Sequence, residues 1–336
     1  MGLISFALEG NYKRFYNDLK ELSKKNGKSP FFMFVDTALC TALLGSGLQD
    51  YLNYKFYEKS FKERRKYVTI GYMANAYKTL AAYEYAEFIS NKANFHKNYS
   101  KFAKRICISS ANSYEEFEEF LNNNESFVYK PLRGLAGTNV KKMSVKDIES
   151  KEKLYEEIKN EKTLIEELIV QDEKWGALSP NSINTIRVVT TIVGDNVKII
   201  FAGARIGSGK TIADNFHQGG QGVLVDIEKG VLVGNGIDKA LNESEKSITG
   251  IKFDGFEIPY WEEARKMVKE AAKINPNIHI VGWDVSISKN GPLIIEGNRG
   301  PGFDLVQVLM KKGTKYMFED LKREVKEFEK NKKENK

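Results

Sequence analysis

Residues 282–298 read GWDVSISKNGPLIIEGN, a pattern typical of a β-hairpin. Two apolar-rich runs flank Lys289-Asn290-Gly291, a triplet that favours a tight turn. We expect a three-residue turn with Gly291 in the left-handed region, where it forms a β-bulge. The sequence therefore predicts two antiparallel strands whose register follows from this turn.

The predicted register decides which side chains share a face of the hairpin. It places Asp284 opposite Glu296 and Val285 opposite Ile295, whereas a two-residue turn would put the two acids on opposite faces. Because side chains alternate along a strand, one face is then polar and the other apolar. The polar face comprises Asp284, Ser286, Glu296 and Asn298. The apolar face comprises Val285, Ile287, Leu293 and Ile295, and only Ile294 does not fit.

Oxygen ligands in this arrangement suit a hard cation. Asp284, Glu296 and Asn298 would bring two carboxylates and an amide oxygen together, and Mg²⁺ prefers oxygen ligands alongside water and phosphate. The glycine-rich GNRGPG at 297–302 allows the backbone to approach a ligand closely. The alternative is a solvent-exposed polar face on an edge hairpin. We predict a site for one or two Mg²⁺ ions here.

A candidate phosphate element lies in FVYKPLRGLAGTNV, residues 127–140. Lys130 ends a predicted strand, and Gly134 and Gly137 lie in the loop that follows. A lysine ammonium suits the phosphates of ATP, and small residues let backbone N–H groups reach phosphate oxygens. The alternative is an ordinary hairpin loop.

ARIGSGKT at 204–211 is a rival phosphate motif, because it nearly spells a P-loop with Ala204 in place of the first glycine. A P-loop requires a helix directly after its Lys-Thr pair. The continuation IADNFHQGGQGV has paired glycines and no apolar helical spacing. We therefore do not favour a P-loop.

Charged residues also interrupt other predicted strands. Glu166 and Glu167 lie inside the apolar run TLIEELIV, where a carboxylate could contact the amino group or ribose of a purine nucleotide. An edge strand with one exposed acid is the alternative. Arg187 and Arg205 fall in successive strands and could hold a transferring phosphoryl group, with surface ion pairs as the alternative.

The composition bears on the cellular compartment of the protein and on its binding partners. The chain has 336 residues, a net charge of +7 and two cysteines, Cys40 and Cys107. Two cysteines build neither a disulfide framework nor a zinc site, and MGLISFALEG lacks the features of a signal peptide, so we expect a cytoplasmic protein. Residues 311–336 hold ten Lys/Arg and six Asp/Glu, which a solvated helix explains better than nucleic-acid binding.

The pattern along the chain indicates an α+β fold. Residues 1–85 carry apolar and aromatic residues at helical spacing, and hairpin-joined strands interleaved with helices follow. The longest apolar stretch, from Phe31 to Gly45, is interrupted by Asp36 and is too short to span a bilayer. We expect a buried helix there rather than membrane contact.

The order of these motifs resembles that of the ATP-grasp superfamily. The residues that carry the resemblance are Lys130 with its glycine loop, Glu166-Glu167-Leu168-Ile169, Asn184-Thr185-x-Arg187, Asn215 with Gly219-Gly220, Asp284, and Glu296-x-Asn298. DNFHQGG and EGNRGPG look like stretches of the glutamate-ligase and glutathione-synthetase branches. The chain looks closest to the sugar-transfer-associated ATP-grasp family, and the likeness includes LQDYLNYKFYEKSFKERRKY near the N terminus.

The resemblance implies two α+β subdomains that clamp ATP, preceded by a helical region. The implied limits are 1–85 for the helical region, 86–170 for the first subdomain, 171–325 for the second and 326–336 for a charged tail. Lys130 then matches a phosphate lysine, and Lys97 or Lys92 a second one upstream. The glycine loop is matched by Gly134 and Gly137, and the adenine hinge by Glu166, Glu167 and Ile169. Glu173 matches the ribose ligand, with Asp172 as the alternative.

The resemblance also implies a reaction. The groups that hold an acyl-phosphate and the γ-phosphate are matched by Arg187, Arg205 and Asn215. The metal ligands are matched by Asp284, Glu296 and Asn298. This implies a Mg-ATP-dependent ligase that joins a small or sugar-linked carboxylate to an amine, or to a thiol, in surface polysaccharide biosynthesis. A phosphotransferase acting on a sugar or lipid hydroxyl, and a nucleotide-binding accessory protein without turnover, are the alternatives.

Overall fold

The computed structural model describes residues 12–132, 140–209 and 219–334. The chain divides into two compact units, one formed by Ala81–Pro301 and the other by Met1–Leu80 together with Gly302–Lys336. The domain limits expected at residues 85, 170 and 325 stay predictions.

Helices dominate the chain up to residue 106, and the described strands all follow that point. The helices are α1 Tyr12–Asn26, α2 Pro30–Leu44, α3 Leu48–Asn53, α4 Phe61–Arg64, α5 Ile70–Leu80, α6 Ala86–Ile89, α7 Lys92–Ala103, α8 Tyr114–Asn123, α9 Lys151–Lys159, α10 Glu173–Gly176, α11 Trp261–Ala272, α12 Asp304–Met310 and α13 Lys315–Glu334. Short 3-10 helices lie at Phe56–Glu58, Tyr83–Tyr85 and Val145–Asp147. The strands are β1 Cys107–Ile108, β2 Ser126–Pro131, β3 Lys141–Ser144, β4 Thr163–Glu167, β5 Thr185–Val193, β6 Asn196–Ile206, β7 Gln221–Asp226, β8 Val231–Ile237, β9 Glu243–Ser244, β10 Ile280–Ser288 and β11 Gly291–Arg299.

A four-stranded antiparallel sheet belongs to the Ala81–Pro301 unit and has the strand order β1-β4-β2-β3. Helices α8 and α9 pack on it through a shared apolar cluster whose buried members are Ile108, Phe117, Phe120, Leu121, Phe127, Leu154, Ile158 and Ile165. Helix α8 begins with a capping box: Ser113 accepts from the N–H of Glu116, and the Glu116 carboxylate accepts from the N–H of Ser113.

A seven-stranded antiparallel sheet belongs to the same unit and has the order β11-β10-β5-β6-β7-β8-β9. Helix α11 packs on it with residues spaced by one helical turn, such as Ala264 and Val268. Helix α7 adds Tyr99, whose ring meets that of Trp283 edge-on at 5.5 Å. Trp283 is fully buried and donates from Nε1 to Thr190 Oγ1 at 2.8 Å. Side chains of β10, such as Trp283 and Val285, therefore belong to the hydrophobic core of this unit.

The turn of the β10–β11 hairpin differs from the predicted one. Ser288 pairs with Gly291, so the loop has two residues rather than three. Gly291 does take a positive φ of 95°, but it is the first residue of the strand and not a bulge. Ser286 pairs with Leu293, which places Leu293 on the polar face instead of the apolar one.

The extra residue of the hairpin is Ile295. The register shifts between Asp284 and Val285, so that Val285 pairs with Ile294 while Asp284 still pairs with Glu296, as predicted. Ile294 is fully buried in the core beside Val285, and the predicted pairing of Val285 with Ile295 is wrong. The extra residue thus lies at Ile295 and not at Gly291 in the turn, and this bulge restores the predicted register of the two acids.

Strands β7, β8 and β9 do not emerge from the sequence pattern, because glycines interrupt the apolar alternation that marks a strand. Gly222 lies in β7, and Gly234 and Gly236 lie in β8. The β5–β6 hairpin has a two-residue loop: Val193 pairs with Asn196, and Gly194 has a φ of 58°.

The second unit is helical in the described residues. Its core cluster consists of Phe15, Leu19, Met33, Cys40, Tyr51, Tyr54, Phe56, Tyr57 and Tyr67. Gln307 on α12 is buried and exchanges hydrogen bonds with the backbone of Val68, accepting at 2.7 Å and donating at 3.0 Å. The Gln307 side-chain oxygen also accepts from the N–H of Thr314 at 3.2 Å. One buried amide thus joins the C-terminal helices of this unit to its N-terminal helices.

Helix α2 is not the buried helix that the sequence predicts. Met33, Thr37 and Cys40 are buried, but Phe32 is 72% exposed and Leu43 is 65% exposed. The stripe spaced by three and four residues packs inward, and the opposite face of the helix stays in solvent. The prediction failed because this helix is apolar on all sides, so its composition does not reveal which side is covered.

Within the three described ranges, none of the helices combines the length and apolar character that crossing a bilayer requires. Cys40 and Cys107 are both free thiols.

Candidate active site

Asp284 is the centre of a charged cluster on the seven-stranded sheet. It lies on β10 and is 4% exposed. Arg187, its partner on β5, donates from Nε and Nη2 to the two carboxylate oxygens at 2.5 and 3.2 Å. Arg205 on β6 reaches the same carboxylate from Nη2 at 2.9 Å. Burial acts to raise the pKa of the Asp284 carboxyl, but the two guanidinium groups lower it overall.

The two arginines are held in place by neighbours on the sheet. Thr185 Oγ1 accepts from Nε and Nη2 of Arg205 at 3.0 and 2.8 Å. The stem of Arg187 passes over Gly282, where an added Cβ would lie 3.3 Å from the Arg187 Cδ and 2.6 Å from a Pro301 side-chain carbon. A glycine at position 282 is therefore required for this arrangement.

Glu296 and Asn298 extend the cluster on β11. Glu296 lies opposite Asp284, and Asn298 Nδ2 donates to Glu296 Oε1 at 3.2 Å. Burial, the negative charge of Asp284 and a hydrogen bond with it raise the pKa of the Glu296 carboxyl, against the opposing charges of Lys130 and Arg187. The structure thus brings the three predicted metal ligands together. The pKa of one acid, Asp284, is lowered, and the pKa of the other, Glu296, is raised.

Glu166 on β4 is the centre of a second charged cluster. Its carboxylate accepts from Lys130 Nζ at 2.7 Å and from Arg105 Nη2 at 3.0 Å, and His96 Nε2 lies 2.9 Å from the other oxygen. Burial acts to raise the pKa of this carboxyl, but the three groups lower it well below its ordinary value. The carboxylate therefore has partners other than the purine amino group expected from the sequence.

Arg105 joins the two clusters through the bulge in β11. Its side chain is 3% exposed. Besides the ion pair with Glu166, it donates from Nη1 to the carbonyl of Ile294 at 3.2 Å and from Nη2 to that of Ile295 at 3.4 Å. A bulge leaves backbone carbonyls without their regular partners in the sheet, and here the guanidinium donates hydrogen bonds to them. The bulge that sets the position of Glu296 is thereby tied to the strand of Glu166.

Helix α7 places Lys92, and not Lys97, at this site. Lys92 Nζ donates to the carbonyl of Pro131, the residue after Lys130, at 2.6 Å. Burial lowers the pKa of the Lys92 ammonium, with opposing contributions from the charges of Glu296 and Glu166. Lys97 is exposed. Of the two candidates for the upstream phosphate lysine, the structure brings only Lys92 to the other site residues.

The predicted adenine hinge continues from β4 as an extended segment. Glu167 is paired with the chain at Ile106, through its backbone N–H at 3.1 Å and its carboxylate at 2.8 Å. Ile169 is half-buried in the segment that follows. Asp172 caps α10 by accepting from the N–H of Trp175 at 3.0 Å, whereas Glu173 is exposed in the first turn. Glu173 therefore stays the better candidate for a ribose ligand.

Some predicted residues lie outside the described ranges. These are Gly134 and Gly137 of the glycine loop and Asn215 of the DNFHQGG stretch. The Lys-Thr pair of the rejected P-loop motif, at 210–211, lies outside them as well, although Ala204 belongs to β6.

The donor set on β10 and β11 fits Mg²⁺. Glu296 and Asn298 offer hard oxygen ligands, and a cation beside Glu296 would offset the burial and repulsion that raise its pKa. Asp284 already accepts two N–H groups from Arg187 and forms an ion pair with Arg205, so a cation would share that carboxylate with the arginines.

His96 and Arg105 are the site residues that sequence reasoning missed. His96 follows Lys92 by one helical turn, so the spacing on α7 was a usable signal once Lys92 was suspected. Arg105 precedes a two-residue strand and has no motif around it. Only the folded chain brings its guanidinium to a bulge 190 residues away.

A family model described as "Sugar-transfer associated ATP-grasp" matches residues 57–323, which is more than half of the chain. No curated protein matches the chain.

Solved structures of ATP-grasp ligases are also similar to the chain. The ATP-grasp ligase PsnB, complexed with a phosphomimetic variant of a minimal precursor, Mg and ADP, is 13% identical with a TM-score of 0.42, over 73% of this chain and 61% of that one. The D-alanine-D-alanine ligase from Coxiella burnetii is 10% identical with a TM-score of 0.42, over 73% and 60%. The D-alanine–D-alanine ligase from Bacillus anthracis complexed with ATP is 13% identical with a TM-score of 0.41, over 76% and 70%. The chain thus spans less than two thirds of the length of the first two.

Proposed function

Because the chain belongs to the sugar-transfer-associated ATP-grasp family, we propose that it is a Mg-ATP-dependent ligase that joins a carboxylate to an amine through an acyl-phosphate. The observation that carries this proposal is the convergence of Arg187 and Arg205 on Asp284, directly opposite Glu296. Two fixed guanidinium groups beside two carboxylates suit a reaction in which charge develops on phosphoryl oxygens.

In this proposal ATP lies between the two sheets of the Ala81–Pro301 unit. Lys130 and Lys92 contact the α- and β-phosphates, which replace Glu166 and the Pro131 carbonyl as partners of the two ammonium groups. The chain from Glu167 to Ile169 reads the adenine through its backbone, and Glu173 binds the ribose. Arg105 keeps the Glu166 strand in register with the metal ligands while the phosphates bind.

The first chemical step is attack of a substrate carboxylate oxygen on the γ-phosphorus, with ADP as the leaving group. Negative charge spreads over the transferring phosphoryl oxygens, and Arg187 and Arg205 stand where they can offset it. Asp284 orients both arginines through the bonds that it accepts from them. Glu296, Asn298 and Asp284 would hold Mg²⁺, which would supply further positive charge to the phosphates.

The second step is attack of the amine on the carbonyl carbon of the acyl-phosphate. The carbon–oxygen bond to phosphate breaks, inorganic phosphate leaves with the oxygen that came from the carboxylate, and the amine loses a proton. Because an acyl-phosphate hydrolyses readily, the site must exclude water during this step.

The substrate class follows from the family description and is part of the proposal. A family associated with sugar transfer points to a carboxylate or amine carried by a sugar or sugar-linked precursor of a surface polysaccharide, made in the cytoplasm.

Product analysis tests the proposed reaction. The protein is incubated with Mg-ATP and panels of sugar acids and amines, and the nucleotide and acceptor products are identified. ADP, inorganic phosphate and an amide in equal amounts support the proposal. AMP with pyrophosphate would indicate an acyl-adenylate route, and a phosphate ester on a hydroxyl would indicate a phosphotransferase; either result would overturn the proposed reaction. ATP that binds and is never consumed would mark the protein as a nucleotide-binding accessory.

A further inference from the structure

Helix α2 carries an exposed face that is wholly apolar. Eight of its side chains between residues 31 and 43 are exposed, and none has a charge or a hydroxyl. They are Phe31, Phe32, Phe34, Val35, Ala38, Leu39, Ala42 and Leu43, which we call the α2 face. A contiguous apolar surface with three phenylalanines is rarely left in water and marks an interaction site.

The polar groups of α2 are all used on its inner side. Asp36, the one charged residue of the helix, pairs with Arg64 at 2.6 Å and accepts from the Tyr51 hydroxyl at 2.9 Å. Thr37 is buried and donates to the carbonyl of Met33 at 2.8 Å. The α2 face therefore carries no charge that a partner surface would have to desolvate.

The basic charge of the chain is concentrated in the unit that carries this face. Residues 1–80 and 302–336 together hold 23 Lys/Arg and 14 Asp/Glu, a net charge of +9. Residues 81–301 hold 29 Lys/Arg and 31 Asp/Glu, a net charge of −2. The whole positive excess of the protein thus lies in one unit.

One of these basic groups, Lys20, lies near the α2 face. Lys20 Nζ lies 5.1 Å from the ring of Tyr16, which meets the ring of Phe34 edge-on at 6.3 Å. Lys24 follows Lys20 by one turn and is exposed, with Glu21 as a solvent-exposed partner. If an apolar surface of this kind inserts into a bilayer, an ammonium beside it lies at the level of the lipid headgroups. Aromatic rings then lie at the boundary between the headgroups and the acyl chains.

We propose that the α2 face docks the protein on an anionic lipid bilayer, with the helix lying in the plane of the interface. The helix has 15 residues, about 22 Å at 1.5 Å per residue, which is too short to span the hydrocarbon core. Apolar side chains enter the acyl boundary while the lysines meet the anionic headgroups. A second copy of the chain is the weaker candidate, because pairing two units of net charge +9 brings like charges together.

Vesicle co-sedimentation of the full-length chain tests this proposal. We expect binding to vesicles of phosphatidylcholine mixed with phosphatidylglycerol, and at least about tenfold weaker binding to phosphatidylcholine alone at low salt. Raising the salt concentration should weaken the binding to the mixed vesicles, because screening removes the electrostatic part. These measurements need no nucleotide, so they succeed or fail independently of the proposed ligase activity.

Variants identify the face that binds. Phe32→Ser combined with Leu39→Ser should lower binding to the mixed vesicles by at least about tenfold, because two inserted apolar side chains are lost. Ile274→Ser, at a residue 46% exposed in the other unit, is the matched control and should bind as the unchanged protein does. Circular dichroism and a thermal melt establish that the variants are folded.

Three outcomes would overturn the proposal. One is the absence of binding to the mixed vesicles, and another is equal binding by the double variant and the unchanged chain. The third is a dimer in light-scattering measurements that the double variant dissociates, which would assign the α2 face to a second copy of the chain.

Discussion

Asp284 and Glu296 lie directly opposite each other on β10 and β11, and the pKa values of their carboxyl groups are shifted in opposite directions. Arg187 and Arg205 keep Asp284 ionised despite its burial, whereas burial and the charge of Asp284 favour the protonated form of Glu296. A divalent cation beside Glu296 would favour the ionised carboxylate and so offset the effect of burial and of the Asp284 charge. The pair is therefore better suited to binding a metal with phosphate than to stabilising the fold.

Glu296→Ala should abolish ATP turnover and leave the fold intact. The carboxyl is a proposed metal ligand, and its ionised form is already disfavoured in the folded protein, so its removal costs little stability. ADP release across a Mg²⁺ titration and a thermal melt measure the two effects. Ser288→Ala, near the turn of the same hairpin, is the control and should keep its activity. Normal turnover by Glu296→Ala at any Mg²⁺ concentration would remove Glu296 from the metal site.

Lys130→Ala and Lys92→Ala should each raise the KM for ATP and lower kcat, because a phosphate-bound ammonium acts in both the ground and the transition state. Lys97→Ala is the matched control, since Lys97 lies on the same helix as Lys92 but is exposed. Nucleotide affinity is measured by calorimetric titration with ADP. If Lys97→Ala weakens binding and Lys92→Ala does not, the assignment of the upstream lysine is reversed.

Arg205→Ala should lower kcat by on the order of 10²–10³-fold, as for the loss of one preorganised donor to a developing oxyanion. Asp284 keeps Arg187 as a partner, so we expect a much smaller change in the KM for ATP. Arg323→Ala, at an exposed arginine paired with Asp320, serves as the control. Steady-state kinetics with saturating ATP measure the effect. A change confined to KM would mean that Arg205 binds the ground state only.

Glu166→Gln should destabilise the protein by about 3–5 kcal/mol at neutral pH, because it leaves buried cationic partners without their counter-charge. The folded pKa of Glu166 lies well below the ordinary value of 4.5, so its contribution to stability is full above pH 4.5 and is lost as the pH falls below it. Urea unfolding at a series of pH values measures this. As the pH falls below 4.5, the free energy of unfolding of the variant should therefore decrease less steeply than that of the unchanged chain. The same pH dependence in both proteins would contradict the role of the carboxylate.

The sequence predicted the family and the ATP-grasp fold, and both are confirmed. It also predicted the pairing of Asp284 with Glu296, because acids and apolar residues alternate cleanly on both sides of the turn. Ile294, the one residue out of pattern, marked a bulge whose position along the strand could not be fixed. A bulge after the turn and a bulge at Ile295 give the same register for the two acids, and only packing of Ile294 into the core distinguishes them.

Other features depend on long-range contacts that leave no local pattern. Arg105 acquires its role from a carboxylate on β4 and two carbonyls on β11, and nothing in the sequence next to it indicates either. The exposed side of α2 depends on which neighbours cover an evenly apolar helix. Strands β7 and β8 contain glycine and β9 has only two residues, so their pairing comes from the sheet that they extend and not from their own propensity.

The proposed ligase reaction depends on the acyl-phosphate intermediate, and an isotope label shows whether it forms. A carboxylate substrate identified by product analysis is labelled with ¹⁸O in both oxygens and turned over with Mg-ATP and the amine. We predict that one labelled oxygen per turnover appears in the released inorganic phosphate, because the carboxylate oxygen that attacks the γ-phosphorus leaves with it. Unlabelled phosphate, with both ¹⁸O atoms kept in the acceptor and the phosphoryl group esterified to a hydroxyl, would contradict the claim and make the protein a kinase.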